Sequence, residues 1–166
     1  MRLLLAVPLL LALLNCTGEG RHTARRGAAV KDSAFAGVQE RGAVAMGVNQ
    51  YTSHHMFQPL PDGGRIELQR DVDDSAGIIQ IRAHMQQIAA RFAAGDFRLP
   101  GYVHARTVPG TAVMAAERTS ITYTVESLPR GAAVRVHSED ARAVEAIHQF
   151  LAFQRQDHHA AVHHDS

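Results

Sequence analysis

The sequence predicts an α+β domain: an antiparallel sheet covered on one face by two helices, with a strand–strand–helix unit that occurs twice. Two stretches alternate in polarity on either side of a turn. Each pair is followed by an acidic cap and an apolar stripe of helical period. The segments "GGRIELQRDVDDSAGIIQIRAH" and "GAAVRVHSEDARAVEAIH" share that plan: a turn glycine, a return strand, an acidic cap and a helix carrying one histidine. Aligning them requires a gap of about one helical turn.

Within the first unit, Tyr51 to Leu60 reads as a strand. "PDGG" (61–64) turns the chain, because proline fixes φ and glycine supplies positive φ. Arg65 to Val72 returns, with Ile66 and Leu68 on one face. Asp73, Asp74 or Ser75 caps the first long helix, and Ile78, Ile81, Met85, Ile88 and Phe92 form its stripe up to Gly95. Arg82 and Arg91 fall on its solvated side. A connector follows, with a short strand expected at Tyr102 to Arg106. Ser120–Glu126 and Ala132–His137 make the second hairpin. Ser138 is the expected cap of the last helix, whose arc is Val144, Ile147 and Leu151.

At 166 residues, with 46% hydrophobic and 20% charged side chains, the chain suits one domain with a real core. A formal charge of +1 gives no electrostatic basis for nucleic-acid binding. Four segments are expected: a signal peptide over 1–16, a flexible tether over 17–45 with one short helix near Ala34 to Arg41, one α+β domain over 46–159 and a histidine-rich tail over 160–166. The apolar run from Leu3 to Leu14 suits the core of a signal peptide and is short of the roughly 20 residues a membrane helix needs. Cys16, the one cysteine, stands where a bacterial lipoprotein is cleaved and lipidated, although Asn15 replaces the usual small residue before it. Membrane attachment through a Cys16 lipid and ordinary cleavage after Gly18 or Gly20 are the competing readings. Both imply export, to the periplasm or the cell envelope. The single cysteine excludes an internal disulfide.

Histidine is the outlier, at 11 residues. His84 lies about 80° from the middle of the first helix's stripe, and His148 about 60° from that of the last. His104 lies in the connector. His54 and His55 are adjacent on a strand and must point to opposite faces, so only one can join the helices. Imidazole is a borderline ligand for copper and zinc, and thioethers select soft Cu(I). The expected ligands are His55, His84, His104 and His148, with His54 as the alternate for His55. His158 reaches the same region if the helix extends to it, and Met46, Met56 and Met114 are soft candidates. The bland reading of each histidine is a partly buried ring bonded to a backbone carbonyl, and Met85 is read as core. The tail "DHHAAVHHDS" is either a weak divalent-ion tract or a solvated end.

The motifs "MGVNQ", "TSHHMF", "GGRIEL", "IRAHM", "GYVHA", "PGTAVM", "SITYTV" and "AIHQFLAFQRQDHH" together resemble a little-characterised family of exported bacterial proteins. That family's pattern runs MGxxQ, TxHHF, GGxIE, RxH, VH, PGxxVM, ITY and VHxFLxFQ ending in DH. The resemblance spans Met46 to His159 and departs at Val48, Met56 and Ile147. It implies an exported domain, and its motifs include His54, His55, His84, His104, His148 and His158.

The function expected from these features is an exported protein that buffers or delivers copper or zinc through a histidine cluster. A metal- or histidine-dependent hydrolase is the first alternative, although no GxSxG nucleophile is present and Glu67 and Asp157 are the carboxylates nearest the histidines in the pattern. A non-covalent haem-binding or interaction domain is the second, since no CxxCH occurs.

Overall fold

The computed structural model describes the backbone of residues 19–160 and the side chains of residues 33–160. The expected signal peptide, the Cys16 lipidation site and the tail histidines His163 and His164 lie outside the described residues. The chain divides into two compact units, Met1–Ser33 and Ala34–Ser166. No described helix is long and apolar enough to cross a membrane.

Helix α1 spans Glu19–Met46. The stretch expected as a tether is thus helical from Glu19 on, and the short helix expected near Ala34 to Arg41 is part of one much longer helix. The segment is rich in alanine and arginine, whose helix propensity outweighs scattered glycines. Within the second unit Val38, Gly42 and Met46 are buried at four-residue spacing, and Arg41 Nε donates to the carbonyl of Val103 at 2.7 Å.

Strands β1 (Ser53–Leu60) and β2 (Gly63–Arg70) form the first hairpin, and β3 (Thr122–Leu128) and β4 (Gly131–His137) the second. One four-stranded antiparallel sheet results, in the order β1-β2-β4-β3. Pro59 is tolerated because β1 is an edge strand. His55, Phe57, Ile66, Leu68, Val134 and Val136 share the inner face, since His55 pairs with Leu68 and Phe57 with Ile66. His54, Met56, Gln58, Glu67 and Gln69 take the outer face.

Helix α2 (Ser75–Ala93) lies on β2, β3 and β4, and α5 (Ala141–Asp157) on β1 and β2. Both cover the inner face. Ile81, Met85, Ile88 and Phe92 point from α2 into the core, and Ile147, Phe150 and Leu151 from α5. Each fully buried side chain of this size contributes about 1.5–3 kcal/mol. A Cβ on Gly64 would sit 2.2 Å from Leu151 Cδ1, so this glycine lets α5 settle against the sheet. Asp74 Oδ1 caps α2 by accepting from Gly77 N at 3.2 Å, and Asp140 Oδ1 caps α5 by accepting from Ala143 N at 2.8 Å. Ser138, the expected cap, instead donates to the carbonyl of Ser120 and accepts from Asp140 N. Arg82 is not merely solvated: it donates to the carbonyls of Leu128 and Gly131.

The strand expected at Tyr102 to Arg106 is helix α3 (Arg98–His104), followed by α4 (Thr111–Ala116). Its buried residues Pro100, Val103 and His104 fall at helical spacing, and Pro100 sits in the first turn where proline is tolerated.

The duplication is visible in the register. Leu60 pairs with Gly63 as Leu128 pairs with Gly131, and His54 with Gln69 as Thr122 with His137. Counted from the caps, Ile81 matches Ile147, Met85 matches Leu151 and Phe92 matches His158.

Candidate functional site

At one end of the inner face, the fold leaves a cavity of about 70 Å³ between β1, α2, α3 and α5. Phe57, Ile66, Leu68, Met85, Ile88 and Val103 are among its apolar lining, with Met46 from α1. The polar exceptions are His55, His84, His104, His158 and Gln154. The site therefore combines four imidazoles from four elements with an otherwise apolar wall.

His55 is on the inner face because alternation along β1 puts it beside Phe57, and the two rings stack at 5.5 Å. His158 follows the last turn of α5. Its ring lies 4.7 Å from that of His55 and 5.1 Å from that of His104. His84 enters from α2, where it is buried next to Met85. Among the described residues no hydrogen bond reaches the ring nitrogens of His55 or His84. His158 Nδ1 is buried and without a partner.

Burial keeps these rings neutral. It is the largest cause holding His55 down to about 3, with His84, His54 and His104 adding to it, although part of the residue reaches the surface. Burial, then Arg91, lowers His84 to about 4. His158 is pushed down by burial first, then by His55 and His104. An imidazole that stays neutral offers a free lone pair to a metal or a proton donor.

His104 differs from the others in being fixed at both nitrogens. Its Nδ1 lies 2.5 Å from Asp157 Oδ2 and its Nε2 lies 2.8 Å from Gln154 Oε1. Arg106 holds the second oxygen of the same carboxylate and its guanidinium lies over Phe153. Both partners are oxygen acceptors, so Nε2 serves as an acceptor only where the Gln154 amide turns over or moves aside. Carboxylates orient metal-binding histidines as Asp157 does His104.

The remaining expected residues lie elsewhere. His148 Nε2 contacts the carbonyl of Leu60 at 2.9 Å, the bland arrangement for a boundary histidine. It stands one residue off the buried row of α5, which runs Ala143, Ile147, Leu151 and Gln154 and continues to His158. His54 faces outward and pairs with Asp71 at 3.0 Å. Met114 is buried in the core away from the cavity, and Met56 is on the outer face. Gln154 was not singled out by the sequence, yet it lies on the same row. Among the described residues no three His, Cys, Asp or Glu side chains stand in ready ligating geometry.

The duplication shows what is particular to this end. The counterparts of His55 and His158 are Tyr123 and Phe92, an edge-to-face pair at 6.0 Å. One half of the fold fills this place with apolar aromatics, the other with imidazoles. No protein-family model, curated protein or solved structure matches this chain.

Proposed function

We propose that the protein is an exported metal-binding protein that holds copper or zinc in this cavity, through nitrogens drawn from His55, His84, His104 and His158, to buffer or deliver the ion. The observation that carries the reading is the convergence of four imidazoles on one apolar cavity, three of them without a hydrogen-bond partner for a buried or neutral ring nitrogen. Buried polar atoms ordinarily have partners, because leaving one bare costs about 1–3 kcal/mol. A bound cation would satisfy several at once. Zinc and copper require nitrogens at roughly 2 Å, so binding would need these rings to turn about their side-chain torsions. The thioethers of Met46 and Met85 in the same wall favour Cu(I) among the candidates. The leader-like run and Cys16 support the exported setting.

The cavity volume weighs against haem, which needs a pocket of at least several hundred Å³. No hydroxyl, thiol or carboxylate lines the cavity, so a hydrolase built on it would have to draw its nucleophile from water.

The test is the copper and zinc content of untagged protein in which His163 and His164 are replaced by alanine, removing the tail's own binding. One equivalent is expected. His84→Ala with His158→Ala should abolish it, whereas His148→Ala should retain it. Unchanged stoichiometry in the double variant would overturn the site.

A further inference from the structure

A second, larger space lies on the other side of β1. This cleft has a volume of about 650 Å³ and mixed walls, with His54, Met56, Glu67 and Gln69 on the sheet and Phe35 and Gln39 on α1 among them. The cavity and the cleft have two lining residues in common, His55 and His158. The two rings that meet at 4.7 Å therefore form the partition between the apolar cavity and the more polar outer cleft. We infer that His55 and His158 are the doorway through which a metal ion passes from the outer cleft to the inner histidines. This inference rests on the metal-binding reading above.

The chemistry on either side supports a passage. A hydrated ion sheds water readily only where protein donors replace it. The cleft's walls include the imidazole of His54, held by Asp71, and the carboxylate of Glu67, held by Arg65 and Gln69, together with the amides of Gln39 and Gln50, whose oxygens are buried without partners. Beyond the doorway only His84, His104, Gln154 and thioethers remain as donors. An ion would thus exchange oxygen ligands for nitrogen and sulfur on moving inward, the order that favours a borderline or soft metal over magnesium or calcium.

The hinge of the doorway is also present. His158 caps α5, and His159 after it adopts a left-handed φ of 51°, a conformation unfavourable for a non-glycine residue. That conformation is held by a parallel stack of the His159 ring on Phe35, 4.1 Å apart and 2° from coplanar. Two backbone bonds, His158 N to Gln154 O and Ala160 N to Arg155 O, secure the turn. Releasing the stack would loosen the turn, and His158 would then be held by its ring contacts with His55, Phe57 and His104.

The experiment is stopped-flow uptake of Cu(I) buffered by bicinchoninate, with the end-point stoichiometry measured on the same samples. Met56→Trp fills the cleft from the outer face of β1 and should slow uptake at least fivefold. Phe35→Ala should speed both uptake and release at least threefold. Stoichiometry should stay that of the parent chain in both. Rates within twofold of the parent in both variants, at full stoichiometry, would overturn the doorway while leaving the metal site standing. A parent chain that takes up no copper would overturn the site and the doorway together. Should Phe35→Ala not fold, Met56→Trp decides alone.

Discussion

The rings of His55 and His158 meet at 4.7 Å, tilted by 34°, one from the first strand and the other from the cap of the last helix. Their contact exists because α5 packs across β1 and β2, and it closes the boundary between the inner cavity and the outer cleft. Several expectations follow from how this end of the fold is built.

Asp157 orients His104, so its replacement should act through that ring. Asp157→Asn should weaken metal affinity 10- to 100-fold while leaving one site per chain, the range for loss of an orienting carboxylate. A competition titration against a chelator of known affinity measures it. Affinity equal to the parent's would remove His104 from the ligand set.

Acid should destabilise the metal-free protein. The fold holds His55 and His84 at about 3 and about 4 and pushes His158 down as well, against about 6.5 in an unfolded chain. The unfolded state therefore binds protons that the fold refuses. The stability from neutral burial is full above pH 6.5 and falls as pH drops towards the folded values. At pH 5 each ring should cost about 2 kcal/mol. Thermal melts from pH 7.5 to 4.5 should show a steep fall that His84→Leu makes shallower. Melts independent of pH would contradict the burial of these rings.

His148 and His158 should separate cleanly. His148→Ala loses a hydrogen bond to the carbonyl of Leu60 and should cost about 1 kcal/mol in urea unfolding, with metal binding intact. The opposite pattern, unchanged stability and lost metal, would restore His148 as a ligand.

Tyr123 occupies the place of His55 in the second half. Its hydroxyl is buried without a partner, and burial pushes its pKa up. Tyr123→Phe removes a desolvated group and no hydrogen bond, so it should stabilise the fold by about 1 kcal/mol. A lowered melting temperature would mean that the hydroxyl has a partner in solution.

Gly110 has a φ of 80°, and a Cβ there would lie 2.1 Å from the carbonyl oxygen of Ala146. Gly110→Ala should cost at least about 2 kcal/mol by forcing α4 away from α5, read by chemical denaturation. A neutral effect would show that the contact yields.

Local pattern sufficed for both hairpins, for α2 and α5, for the duplication and for the outward and inward turn of His54 and His55. Each depends on alternation, helical period or capping chemistry between near neighbours. The same signals misread α3, where alternation between Tyr102 and His104 competed with the helical row Pro100, Val103 and His104. They also misjudged the stretch before Met46, where glycine content hid the length of a helix expected only near Ala34 to Arg41 and docked through Val38, Gly42 and Arg41.

By itself, the sequence determined an α+β sheet with two covering helices, and that His55, His84 and His104 stood where they could face them. Only the tertiary structure decided between His148 and His158. A helical wheel placed both near the apolar stripe, but the axis along which α5 crosses β1 and β2 points one at a backbone carbonyl and the other at His55. That crossing is set by packing between distant segments, including Leu151 over Gly64, and no window of neighbouring residues contains it.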